Sequence, residues 1–204
     1  MHIADIDFAE FYRPAFSDGG AARAFVDHVR ATPKEHSLAK IALYQAARML
    51  WLADRIEEVA RGRPAIQVLF FLIAAEAVAK MVFNFKGRGD SEKHVKRFFG
   101  EVCSDEHRHR LDRAFSSDGV HYLAWQHAVQ YLYKVRCDVV HEGVYFEMAM
   151  ENSSGVASKL KRHRNSDPYL DPDSHISCAD LRQIILEGAV RGCRMLLTHH
   201  NRSS

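Results

Sequence analysis

Residues 65–83 form an almost unbroken apolar run, close to the length a helix needs to cross a bilayer, and only Gln67, Glu76 and Lys80 interrupt it. Such a run ends up either in lipid or in the middle of a protein. A charge near the centre of a membrane span costs about 2.5–3.5 kcal/mol, whereas a helix buried in a bundle can turn Glu76 towards a partner or towards water. The run is therefore read as the central helix of a bundle, with no membrane contact expected.

A buried central helix needs other helices to cover it, and hydrophobic spacing provides them. Ser37 is placed to cap a helix reaching about Arg61, on which Ile41, Tyr44, Ala47, Leu50 or Trp51, and Ile56 share a stripe. Gly62-Arg63-Pro64 ends that helix and opens the central one, since proline costs nothing in a first turn; the central helix is expected to run to about Lys86. Gly87-Arg88-Gly89-Asp90 stops it. Two shorter helices are expected over residues 92–102 behind Ser91 and 105–115 behind Ser104.

A long helix starting near Tyr122 carries Trp125, Ala128 or Val129, Leu132, Val135 and Val139, and ends near Glu142-Gly143. A last helix begins behind Ser177, with Asp180 as its box-like partner. No stretch alternates apolar and polar residues long enough to predict a sheet, so the expected class is all-α.

Residues 1–36 contain Arg13-Pro14, Asp18-Gly19-Gly20 and Thr32-Pro33 around a short helical candidate over 21–31, and read as an N-terminal extension to a bundle over residues 37–204. Its opening, Met-His-Ile-Ala-Asp, has acids where a secretory leader needs a basic start and an apolar stretch. The four cysteines, Cys103, Cys137, Cys178 and Cys193, form no CxxC pair, which disfavours a disulfide framework or a structural zinc site. A cytoplasmic location is the expectation.

Twenty-eight Lys plus Arg against 26 Asp plus Glu leave a formal charge of +2, too small for coating nucleic acid by bulk charge. Any contact with RNA must be local. Between the last two helices lies a basic run with Lys159, Lys161, Arg162 and Arg164, then a turn-rich stretch from Asp167-Pro168 to Asp171-Pro172-Asp173, together read as a surface excursion.

Thirteen histidines raise the question of metal, but their spacing answers against it. His107 and His109, two apart on a helix, point about 200° apart around its axis. His121, His127, His199 and His200 read as surface or capping residues, and no HExxH pair is present. With no GxGxxG, phosphate loop or GxSxG elbow either, neither a metal nor a cofactor is expected.

One segment does carry chemistry: Tyr131-Leu132-Tyr133-Lys134-Val135-Arg136-Cys137-Asp138-Val139-Val140-His141-Glu142-Gly143. A planar, permanently charged guanidinium binds phosphate in bidentate fashion, and an imidazole titrating near neutrality moves protons. Together they suffice for phosphodiester cleavage without a metal. Asp138, three residues before His141, is the candidate to orient the ring, with Glu142 as its competitor, and Cys137 is a weaker candidate nucleophile. Lys134 and the basic run are candidate phosphate contacts. Tyr131 and Tyr133 are expected to pack rather than to stack on a base.

The segment resembles the signature of HEPN domains, helical bundles in which an arginine followed four to six residues later by a histidine marks many metal-independent ribonucleases. The preceding Tyr-x-x-Arg and the following Val-His-Glu-Gly are similar to Apea-like members. The bare spacing recurs at Arg23 and His28, Arg30 and His36, Arg88 and His94, and Arg194 with His199 or His200, so what selects Arg136 and His141 is the aromatic, apolar helix leading into them. The position after the arginine, commonly Asn or another polar residue in that family, is Cys137 here.

The resemblance implies an antiparallel HEPN-type bundle, His141 as general acid or base, and Arg136 as the stabiliser of phosphate charge. It also implies RNA as substrate, and an antitoxin or defence-system partner is a further expectation. On a regular helix residues five apart lie about 140° apart, so one chain does not readily bring both groups to one phosphate. The homodimer that the family commonly forms removes that difficulty. A non-catalytic helical module, binding protein, nucleotide or RNA, is the competing expectation.

Overall fold

A computed structural model describes residues 6–33, 38–59, 63–85, 87, 89–117, 120–143, 150 and 173–200. The architecture is all-α, with one short strand pair. The α-helices are α1 (Phe8–Tyr12), α2 (Gly19–Ala31), α3 (Leu38–Val59), α4 (Pro64–Val82), α5 (Ser91–Arg97), α6 (Asp105–Leu111), α7 (Trp125–Cys137) and α8 (Cys178–His200). Strands β1 (Phe115–Ser116) and β2 (Asp173–Ser174) pair antiparallel, Phe115 opposite Ser174.

The apolar run is α4, and it sits where the sequence places it, packed by α3, α5, α7 and α8. Among the described residues it is the one helix long and apolar enough to cross a membrane, and half of its most apolar stretch is buried inside the molecule. Each polar interruption has its own partner. The Gln67 side chain donates to the Ala53 carbonyl of α3 at 3.2 Å, while Glu76 and Lys80 pair with each other at 2.6 Å. α8 comes close to α4 and to the turn after α5 because it carries glycines at the crossings. A Cβ at Gly192 would lie 2.5 Å from Val78, and one at Gly188 would lie 2.5 Å from Phe98.

Residues 6–31 share this core. Tyr12 is fully buried and donates its hydroxyl to the Leu43 carbonyl at 2.7 Å, and Ala22, Phe25, Val26 and Val29 are buried beside it. On α8, Gln183 donates to the Pro14 carbonyl at 2.8 Å, and Arg182 forks onto Asp54 of α3 at 2.7 and 2.8 Å.

Several local expectations shift. α4 ends at Val82, ahead of the expected Lys86, and Asn84 then takes a left-handed conformation with φ 48°. Ser91 is not a cap: Asp90 holds that position in a left-handed conformation, and Ser91 is the first helical residue. The helix expected over 92–102 changes at Phe98 into a widened turn, Phe98–Val102, closed by the Cys103 amide on the Phe98 carbonyl, an i→i+5 bond. Ser104 caps α6 as expected, but the helix stops at Leu111, residues 112–114 form a turn, and Phe115, the expected last helical residue, enters β1. At α8, Ser177 accepts from the Asp180 amide at 3.1 Å and donates to its carboxylate at 2.6 Å. The cap expected at Ser37 and the basic run 159–164 lie outside the described residues.

Candidate functional site

α7 reaches the middle of α4 with its last turn. There the helix widens over Asp138–Glu142, where the Gly143 amide bonds to the Asp138 carbonyl, and Gly143 closes the turn at φ 65°, a conformation natural to glycine. Arg136 lies just before this turn and His141 inside it. A turn closed by i→i+5 bonds holds more residues than an α turn. It therefore brings residues five apart nearer to one side than the about 140° of a regular helix.

Arg136 is half-sheltered. Its side chain is 18% exposed, its guanidinium lies over the Tyr133 ring at 5.4 Å from the centroid, and Nη2 stands 3.8 Å from Glu76 Oε2. Glu76 Oε1 takes a hydrogen bond from Lys80 Nζ at 2.6 Å and one from Ser91 Oγ at 2.8 Å, and Oε2 is the oxygen that faces Arg136 beyond hydrogen-bond distance. Arg136 is thus attracted by Glu76 without being hydrogen-bonded to it, and it donates to no other described residue. Its N–H fork stays available to an oxyanion. Burial pushes the Tyr133 phenol up, against the lowering pull of the Arg136 charge.

His141 is exposed and makes no hydrogen bond or ion pair with a described residue. The orienting role expected of Asp138 has a competitor, because Asp138 Oδ2 accepts from Lys134 Nζ at 2.7 Å, one turn back. That same contact occupies Lys134, an expected phosphate contact. Lys159, Lys161, Arg162 and Arg164 lie outside the described residues. Of the two tyrosines, Tyr131 packs edge-on against Phe115 with ring centroids 5.1 Å apart, while Tyr133 borders an open groove along α5.

No family model, curated protein or solved structure matches the chain.

Two other histidines are buried. His107 closes the α6 capping box through Nδ1, which accepts the Ser104 amide at 3.2 Å, so its Nε2–H points to Glu187 of α8. His94, 2% exposed and packed on Phe85 at 4.4 Å, has neither ring nitrogen hydrogen-bonded. Burial first, and then the nearby Lys80, push its pKa below the ordinary imidazole value. Among the described residues, no group of three or more His, Cys, Asp or Glu is gathered as a metal cage would require.

What the sequence reading missed is Glu76 as the counter-charge of Arg136, with Ser91 and Lys80 holding it in place. The signal was present: a lone carboxylate in the most apolar helix needs a cation nearby. The i,i+4 spacing points to Lys80, but nothing local in the sequence adds Arg136.

Proposed function

We propose that the chain is a metal-independent endoribonuclease of the HEPN type, working as a homodimer in which two copies of the segment 136–141 line one cleft. The observation that carries this reading is that a guanidinium with its hydrogen-bonding fork unused and an exposed imidazole flank one widened turn at the end of α7. Structural arginines of this depth normally spend their donors. This one keeps them.

In the proposed step the ribose 2′-oxygen attacks the adjacent phosphorus while its proton passes to neutral His141. The bond from phosphorus to the 5′-oxygen breaks as that oxygen takes a proton from the protonated His141 of a second copy. Arg136 stabilises the charge on the five-coordinate phosphate. The products are a 2′,3′-cyclic phosphate and a 5′-hydroxyl, and the two imidazoles have exchanged protonation states. A toxin or phage-defence setting completes the proposal.

The test is cleavage of single-stranded RNA in EDTA, with DNA of the same sequence as control and analysis of the product ends. RNA cut with cyclic-phosphate ends, DNA left whole, and a loss of about 10²–10⁴-fold for Arg136→Ala and His141→Ala in folded protein support the reading. Cleavage only with added metal, or none by the unmodified chain, overturns it. The competing reading, a non-catalytic helical module, is favoured by the depth of Arg136: against Glu76 and over Tyr133, a guanidinium also serves packing.

A further inference from the structure

The groove along α5 has a volume of about 710 Å³ and is bounded by Asp90, Lys93, Lys96, Arg97, Glu101 and Tyr133. We propose that it is the subsite for the nucleotide next to the phosphate held by Arg136, taking an unpaired base against Tyr133 and a backbone phosphate on Lys93. The identity of the ligand as RNA rests on the ribonuclease reading above; the shape and chemistry of the groove do not.

Tyr133 joins the two places. Its half-buried ring borders the groove and also carries the Arg136 guanidinium. A base lying against this ring would have its phosphate within the reach of the neighbouring arginine. The volume lies within the range of small-ligand sites and has room for one nucleotide.

The charges argue for one nucleotide rather than a long polyanion. Lys96 is closed on Glu92 at 2.6 Å, and Arg97 on Glu101 at 2.7 and 3.2 Å, so these cations are neutralised within the groove wall. Lys93 stands exposed at the lip, with no hydrogen bond or ion pair to a described residue. One free ammonium suits one phosphate, whereas a duplex or a membrane surface calls for a row of them. With Glu101 taken by Arg97, the Asp90 carboxylate is the acceptor left for an exocyclic amino group, which gives the groove a polar edge for a base that carries one. A stacking ring, a single cation and an acceptor carboxylate together describe a base-binding subsite.

The experiment uses the full chain with His141→Ala, so that RNA survives, and follows fluorescence anisotropy of a labelled single-stranded RNA of about ten nucleotides across a salt series. Lys93→Glu is expected to weaken binding several-fold and to lower the slope of log affinity against log salt by about 0.7, the share of one single-strand phosphate. Tyr133→Leu is expected to weaken binding about tenfold at an unchanged slope, and Tyr133→Phe to restore it. Circular dichroism confirms that each variant is folded.

Unchanged affinity in Lys93→Glu and Tyr133→Leu overturns the proposal, as does failure of the His141→Ala chain to bind RNA. A dimer that dissociates in sedimentation when Lys93 is reversed, with RNA affinity unchanged, assigns the groove to a second copy and also overturns it. If RNA binds through the groove and the unmodified chain leaves it whole, the subsite stands and the ribonuclease reading falls.

Discussion

The same backbone departure occurs twice in this molecule, in opposite surroundings. After α5, the widened turn Phe98–Val102 is sealed: Phe98, Phe99 and Val102 are fully buried. Its carbonyls are collected by cations, with Arg108 donating to Phe99, Gly100 and Cys103 at 3.3, 2.9 and 2.9 Å, and Arg191 to Val102 at 2.9 Å. After α7, the turn Asp138–Glu142 buries no residue, and Val140 is 49% exposed. The first turn has a packing reason, since it buries two phenylalanines in the core, Phe98 against the close-lying Gly188. The second packs only Val139, partly buried, against the core and leaves Val140 and His141 exposed. Widened turns cost hydrogen-bond geometry, and the first offsets that cost with fully buried rings while the second does not.

The comparison sharpens first through the sealed turn. Phe98→Ala removes a fully buried ring and is expected to destabilise by about 3–5 kcal/mol in urea unfolding. Val140→Ser in the open turn is expected to change stability by no more than about 0.5 kcal/mol. Equal losses in the two variants would break the comparison, because the second turn would then be structural as well.

A smaller effect is expected at the cation that closes the sealed turn. Arg108→Met keeps the stem but leaves three carbonyls without their charged donor, for an expected loss of about 2–3 kcal/mol, read as a lower midpoint in the same titration.

The smallest expected effect is a slope, at the buried imidazole of α5. His94 has a folded-state pKa below its ordinary value, so on acidification the unfolded chain takes up the proton first. Its contribution to stability is present above about pH 6.5 and is lost as pH falls from there towards the folded-state value. His94→Leu is expected to flatten the fall in melting temperature across that window while leaving the value at pH 8 nearly unchanged. An equally steep fall in the variant would remove His94 as its cause.

The helices were legible because their signals are local. Ser104, which accepts from the His107 amide at 3.3 Å, holds a helix start within three residues of itself, whereas Asp18-Gly19-Gly20, read as loop, proves to be the cap and first residues of α2. The apolar stripe of α3 and the continuous run of α4 come with their own periods. Ser91 shows where this fails: its hydroxyl was read as a cap, yet Glu76, fifteen residues away, draws it off. The strand pair failed for the same reason, since Phe115 and Ser174 are too short a match to stand out before the chain brings them together.

The candidate site divides along the same line. Arg136 and His141 could be picked from their spacing and the helix that leads into them, and their chemistry follows from what the side chains are. The Lys134–Asp138 pair follows the local i,i+4 spacing, but whether the guanidinium keeps its donors and whether Tyr133 faces a groove depend on groups far apart in the chain. By itself the sequence determined an all-α chain built around one apolar helix, because helical periodicity and caps act over a few residues. Only the tertiary structure decided which charge meets which and where a helix end widens, because those choices are made by packing between segments that no local pattern connects.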